Sequence, residues 1–98
     1  MPHYIIKCHD KSNSLELRME TRPAHLEYIN NFGGAIKIAG PILDADAKPK
    51  GSAFIIEFAN LAAAEEFAKN DPYQAAGLFA RQSIEVFNPL VGVWASEP

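Results

Sequence analysis

The sequence predicts an α+β domain in which two helices cover one face of a four-stranded antiparallel sheet. Three observations support this fold class. Short segments rich in β-forming side chains alternate with segments that have helical periodicity. Gly and Pro residues separate these segments. The resulting order, βαββαβ, is the split βαβ arrangement of ferredoxin-like domains. With 98 residues, the chain is expected to form one domain over residues 1–98.

The first half of the chain is expected to contain a strand and two short helices. Residues 4–8 are rich in β-formers and predict the first strand. A short helix follows over residues 15–20. Pro23 should end it, because the residue before a proline avoids the α region. A second helix then runs to about residue 32 and stops at Gly33 and Gly34.

The second half should supply three strands and one helix. The predicted elements are, in order, a strand at 35–39, a loop at 40–51, a strand at 52–58, a helix at 61–69 and a strand at 78–87. The loop is rich in charged residues, so it should be solvated and mobile. The apolar residues 91–94 could pair as an added edge strand.

Composition excludes several classes of protein. Hydrophobic residues make up 48% of the chain and charged residues 21%, which is typical of a globular protein and not of a disordered one. The net charge is −3 and the basic residues are dispersed, so the electrostatic pattern of a nucleic-acid-binding protein is missing. No apolar run approaches the roughly 20 residues that span a bilayer. The single cysteine and the lack of a signal peptide predict a cytoplasmic location.

Strand alternation assigns the apolar residues to the two faces of the sheet. The face under the helices is expected to carry Tyr4, Ile6, Ile36, Ile38, Phe54, Ile56, Phe58, Ile84 and Val86. The opposite face would carry Ile5, Ile55 and Phe87 together with Lys7, Lys37, Glu57 and Glu85. This mixture is too apolar for a simple solvent face and too charged for a dry core. A second copy of the chain could bury it, which predicts a homodimer. The alternative is a monomer with a wet sheet face.

The segment from Arg22 to Leu26 contains the first candidate for chemistry. Pro23 would place His25 in the first turn of a helix, where the helix dipole favours the neutral imidazole that a general base needs. Arg22 lies three residues earlier, near the same face, and could hold an anionic group of a substrate. The alternative is a polar histidine at a helix start with an arginine at the rim.

Asp71 is the second candidate. Because it precedes Pro72, its carboxylate could simply cap the following turn. It could also accept a hydrogen bond from His25 and so fix the orientation of the imidazole ring. One carboxylate can do both, and the sequence leaves the two roles open.

The other histidines and the cysteine give weaker evidence for a functional site. His3, Cys8, His9 and His25 lack the ligand spacing of a zinc site, so no metal is expected. Cys8 should lie under the helices, where a buried thiol is usually inert. Tyr73 and Trp94 favour packing or interface roles over a stacking platform.

The chain resembles the YciI-like (YCII-related) family over most of its length. The matching residues, in order, are Tyr4 to Cys8, Asp10-Lys11, Ser14-Leu15-Glu16, Arg18, Arg22-Pro23-Ala24-His25-Leu26, Ala39-Gly40-Pro41, Gly51, Asp71-Pro72-Tyr73 and Gly77. No single piece is a strong motif, but their order and separations are specific. The resemblance implies ferredoxin-like subunits that dimerise as an α/β barrel.

The same resemblance implies an active site around His25 and Asp71. Arg22, Gly40, Pro41 and Tyr73 are expected to contact the substrate. The expected function is an enzyme, of isomerase or lyase type, that uses the His-Asp pair for acid–base chemistry without a cofactor. Its substrate would be a small organic molecule, either anionic or cyclic. The alternative function is a module that binds such a molecule without turning it over.

Overall fold

The computed structural model describes residues 1–95, and in it one sheet carries all the helices on one side. The elements in chain order are β1 (His3–Asp10), α1 (Leu15–Asn30), a 3₁₀ turn (Gly33–Ala35), β2 (Ile36–Leu43), β3 (Pro49–Glu57), α2 (Leu61–Asn70), α3 (Pro72–Ala75) and β4 (Phe79–Phe87). The strands are antiparallel and lie in the order β2-β3-β1-β4. This order confirms the predicted ferredoxin-like fold.

The core lies between the sheet and the helices. Tyr4, Ile6 and Cys8 of β1 are all buried on the covered face, as the alternation of side chains predicts. Aromatic rings fill much of the space above them, and Phe67 of α2 makes an edge contact with Phe54 of β3 at 5.5 Å between ring centroids. The covered face and the helix layer together make one contiguous apolar cluster.

Two residues assigned to the covered face do not contribute to this core. The pairing of β2 with β3 shifts between Ile36, which pairs with Ile56, and Ile38, which pairs with Ile55. This irregularity moves Ile38 to the open face of the sheet, because a shift of one residue reverses the direction of a side chain. Val86 has the predicted direction, but it lies on an edge strand and is 70% exposed.

Helix α1 is continuous, so the prediction that Pro23 separates two helices is wrong. A proline within a helix removes one hydrogen bond and costs about 3 kcal/mol. Two buried side chains, Arg18 and His25, lie on either side of Pro23 and both bond to the rest of the protein. These tertiary contacts offset the local cost. His25 is therefore in the middle of a helix, and the argument from a first-turn dipole does not apply to it.

The predicted loop over residues 40–51 is mostly strand. β2 continues to Leu43 and β3 begins at Pro49, which leaves a short hairpin loop. The carboxylate of Asp44 organises this loop by accepting the backbone N–H groups of Asp46 at 2.8 Å and Lys48 at 3.0 Å. Pro41 is tolerated within β2 because β2 is an edge strand.

The apolar tail does not add a strand, contrary to the prediction for residues 91–94. After Phe87 the chain forms bends and turns up to Ala95. Pro89 has no backbone N–H to donate to a neighbouring strand. Gly92 has a φ of +116°, which interrupts an extended backbone. Val91 and Trp94 remain exposed.

Cys8 provides a test of the strand register. Burial raises the pKa of its thiol to about 11 from an ordinary 9.0, and the thiolate is the reactive form. A rise of two pKa units lowers the thiolate fraction about 100-fold. We therefore expect alkylation by iodoacetamide at pH 8 to be at least about 100-fold slower in the native protein than in the unfolded one. Equal rates would place Cys8 on the open face.

Gly51 tests the close approach of β3 to β1. A Cβ at this position would collide with the backbone carbonyl oxygen of Cys8, whereas a Cβ at Gly34 would meet no atom within 4 Å. Gly51→Ala should lower the free energy of unfolding by about 1–3 kcal/mol, the usual cost of overpacking. Gly34→Ala is the matched control and should change stability by less than about 1 kcal/mol. Urea unfolding of both variants measures the difference, and similar values would contradict the packing argument.

Candidate functional site

A pocket of about 240 Å³ lies between α1 and the strands β2 and β3. Its walls are formed by Arg18, Arg22, His25, Leu26, Ile29, Ala39, Gly40, Pro41, Pro49, Ser52, Phe54 and Tyr73. Apolar side chains form most of this lining, and a few polar groups point into it. Such a combination is typical of sites for small molecules.

His25 and Asp71 form a buried hydrogen bond at one side of this pocket. His25 Nδ1 lies 2.8 Å from Asp71 Oδ1. The same Oδ1 atom accepts the backbone N–H of Tyr73 at 2.9 Å. Because Oδ1 acts as an acceptor, Nδ1 is the donor and carries the proton. The other ring nitrogen, Nε2, has no protein partner among residues 1–95 and is free to exchange a proton.

Asp71 has both of the roles that the sequence left open. It ends α2 and is the N-cap residue of α3, with an extended backbone at φ −61 and ψ 129. Its carboxylate satisfies the first free N–H of α3 and at the same time holds the imidazole. The cap fixes the position of the carboxylate, and the carboxylate then fixes the ring of His25.

Tyr73 stacks against the imidazole. The two ring centroids are 4.1 Å apart and the planes are inclined by 18°. The guanidinium of Arg18 lies over the same phenol ring, with Cζ 4.6 Å from its centroid. Burial raises the pKa of the Tyr73 hydroxyl, and the charge of Arg18 opposes that rise. Tyr73 was expected to contact the substrate, and it lines the pocket while fixing the plane of His25.

Arg18 is the main polar residue of the pocket that we did not predict from sequence. Its Nε and Nη2 atoms donate to the two oxygens of Asp10 at 2.7 and 2.9 Å. Nη2 also donates to Ser52 Oγ at 2.9 Å. The sequence spacing indicates this placement, because Arg18 and His25 are seven residues apart and so lie on the same face of a continuous helix. Predicting a break at Pro23 concealed this relation.

The remaining predicted contact residues all reach the pocket. Arg22 is exposed at its rim, one turn before His25 on α1. It forms no ion pair with any residue between 1 and 95. Gly40 and Pro41 line the opposite wall from β2. Five of the six residues expected at the site thus line one cavity, and Asp71 is bonded to His25 behind them.

No three or more His, Cys, Asp and Glu side chains within residues 1–95 are placed to hold a metal ion. In those residues there is also no helix that is both long and apolar enough to cross a membrane.

Solved structures of known activity resemble this chain. The 5-chloro-2-hydroxyhydroquinone dehydrochlorinase of Burkholderia phenoliruptrix AC1100, solved in complex with 2,5-dihydroxybenzoquinone, superposes with a TM-score of 0.81. It is 33% identical, and the match covers 85% of this chain and 90% of that one. An antibiotic biosynthesis monooxygenase superposes with a TM-score of 0.57 at 11% identity, covering 93% of this chain and all of that one, which shows a shared fold only.

Sequence comparison gives the family directly. The protein YciI of Escherichia coli is 38% identical, and the alignment covers 89% of this chain and 97% of that protein. An uncharacterised protein of Haemophilus influenzae is 33% identical over 90% of this chain and 98% of its own length. Residues 2–88 match the family of YCII-related domains. The chain therefore belongs to the YCII-related family.

Proposed function

We propose that the protein is a cofactor-independent enzyme that uses His25 and Asp71 for acid–base chemistry on a small cyclic molecule. The observation that carries this proposal is the buried Nδ1–Oδ1 hydrogen bond of 2.8 Å at the wall of a pocket. The dehydrochlorinase among the similar structures supports a small-molecule enzyme.

The geometry suits His25 to act as a general base. With the proton on Nδ1 held by Asp71, the lone pair of Nε2 is available to accept a proton from a bound molecule. The imidazolium that forms remains hydrogen-bonded to the carboxylate, which stabilises its charge. Stacking on Tyr73 and the contact with Phe54, 6.1 Å away between centroids, limit rotation of the ring.

The pocket favours a flat ring with polar substituents. A cavity of about 150 Å³ accommodates benzene, so 240 Å³ leaves room for a six-membered ring with several small groups. Apolar side chains such as Leu26, Ile29 and Phe54 would contact its faces. Arg22 at the rim would attract an anionic substituent, such as a phenolate or a carboxylate.

The reaction needs no electron donor or acceptor. Nε2 takes a proton from a hydroxyl or a carbon of the substrate, and the electron pair left behind forms a new double bond. In an elimination from a chlorinated phenol, a ring hydroxyl loses a proton and the carbon that bears chlorine gains one, so that this carbon becomes tetrahedral. A second hydroxyl then gives up its proton to Nε2, its electron pair forms a carbonyl, and chloride leaves, so that the net loss is HCl. In an isomerisation, the imidazolium returns the proton to a different atom.

The dyad is tested by turnover of 5-chloro-2-hydroxyhydroquinone, the compound in the name of the similar dehydrochlorinase. We expect the protein to release chloride from it. His25→Gln should lower kcat by about 10²–10⁴-fold, because general-base catalysis has that magnitude. Chloride release measures turnover, and isothermal calorimetry with 2,5-dihydroxybenzoquinone measures binding, which should persist in this variant.

Two changes of Asp71 separate its roles. Asp71→Asn retains an oxygen that can accept the N–H of Tyr73, so thermal stability should change little while turnover falls. Asp71→Ala also removes the cap and should lower stability by about 1 kcal/mol or more. If 2,5-dihydroxybenzoquinone binds but no phenol or small cyclic acid is converted, the protein is a binding module and the enzymatic proposal is wrong.

We propose in addition that the whole chain is one domain and acts as a homodimer in the cytoplasm. Ile5, Ile38 and Ile55 form an apolar centre on the open face of the sheet, since they pair across β1, β2 and β3. Lys37 and Glu57 flank this centre and lie 3.7 Å apart. A second copy would bury the apolar centre and leave the charges at the rim. The single buried thiol of Cys8 suits a reducing compartment.

The dimer is tested by sedimentation at micromolar concentration. We expect a mass twice the 10.8 kDa of one chain. Ile55→Glu should yield monomers, because it places a charge in the middle of the interface. Leu61→Glu is the control, since Leu61 is exposed on α2, on the opposite side of the sheet, and its change should leave the dimer intact. Monomeric wild-type protein under these conditions would contradict the proposal.

A further inference from the structure

Arg18 is a charged side chain that is almost completely buried beside the pocket. It is 4% exposed and contacts β1 through Asp10, β3 through Ser52 and α3 through the ring of Tyr73. Arginine is rarely this buried unless it is paired, and Asp10 supplies the pair. These contacts hold the guanidinium in one position and orientation.

The bonds of Arg18 use only part of its donor capacity. A guanidinium has five N–H groups. The contacts with Asp10 and Ser52 are made by Nε and Nη2, which together carry three of them. Nη1 bonds to neither Asp10 nor Ser52, and the hydroxyl of Tyr73 is a further hydrogen-bond partner of the guanidinium.

The free side of the guanidinium is the side that can face a ligand. Asp10 binds the edge formed by Nε and Nη2, so Nη1 is the nitrogen farthest from the carboxylate. Arg18 lines the pocket, so the part of its guanidinium that Asp10 and Ser52 leave unused is available to a ligand there.

We propose that Nη1 of Arg18 is a buried subsite for an oxygen anion of the substrate. This inference rests on the proposed function and assigns a second atom to the same site. Nε2 of His25 receives the proton, and Nη1 of Arg18 binds the oxygen that carries the negative charge of a phenolate, an enolate or a ring carboxylate. The ring of Tyr73 contacts both groups.

The spacing of Arg18 and His25 along α1 suits a substrate that contacts both side chains. Residues 18 and 25 are two helical turns apart, about 10.5 Å along the axis, which allows one six-membered ring to span the two side chains. Hydrogen bonds from a fixed cation to an oxyanion are worth more in a water-poor site than in solvent. Burial lowers the pKa of Arg18, but the hydrogen bonds and charge of Asp10 outweigh it, so the net pKa is raised and the cation persists.

Two probes of different charge test this assignment. 2,5-Dihydroxybenzoquinone is anionic at pH 7, and hydroquinone is a neutral ring of similar size. In the variant Arg18→Gln with Asp10→Asn, we expect the Kd of 2,5-dihydroxybenzoquinone to rise about tenfold or more, as for loss of a charge-assisted hydrogen bond. The Kd of hydroquinone should change less than threefold. The second substitution avoids leaving the Asp10 carboxylate buried without a partner.

The control variant is Arg81→Gln, an exposed arginine on β4 that does not line this pocket. It should leave both dissociation constants unchanged.

A second test of the subsite uses NMR of the wild-type protein. The Nη1 signals of Arg18 in ¹⁵N NMR should shift when 2,5-dihydroxybenzoquinone is added, and the Nη2 signal should shift less.

The outcomes separate this inference from the proposed function. If wild-type protein binds 2,5-dihydroxybenzoquinone but the Arg18 variant binds it equally well, or if Nη1 does not shift, Arg18 is only a structural anchor. A similar loss of affinity for both probes would also overturn the subsite, because charge would not be the cause. If the wild-type protein binds neither probe and releases no chloride, the proposed function itself fails and the subsite with it.

Discussion

The attachment of α1 to the sheet depends on polar pairs. The two residues of α1 that are most deeply buried are Arg18 and His25, and neither is apolar. Each requires a specific acceptor, because burying an unpaired charged or polar side chain is costly. Asp10 supplies one acceptor from the end of β1, and Asp71 supplies the other from the start of α3. These two carboxylates fix α1 together with Tyr28, whose ring and hydroxyl contact Phe67.

This arrangement is better explained by function than by stability. A buried ion pair often contributes no more to stability than apolar residues of the same volume would. An apolar stripe on α1 would therefore serve stability equally well. The polar anchors instead hold the backbone of α1 in place while Leu26 and Ile29 line an open pocket. Tyr73 lies against both anchored side chains and keeps their separation fixed.

Asp71 shows how one side chain can serve folding and chemistry together. As an N-cap it is fixed by the backbone of α3, so its carboxylate needs no further support to orient His25. A change at this position affects both roles unless the capping oxygen is kept. This coupling also explains why neither role could be preferred from the sequence, since Asp before Pro is common at helix starts.

The sequence by itself determined the order of helices and strands along the chain and the face of β1 that is buried. Alternation and turn residues act over a few positions and are readable locally, as Tyr4, Ile6 and Cys8 show. The family resemblance supplied His25 and Asp71. Only the tertiary structure decided that α1 continues through Pro23, that Ile38 turns to the open face and that Arg18 enters the pocket. Each of these depends on partners distant in sequence, because the contacts of Asp10, Ser52 and Ile55 outweigh the local preferences that the sequence displays.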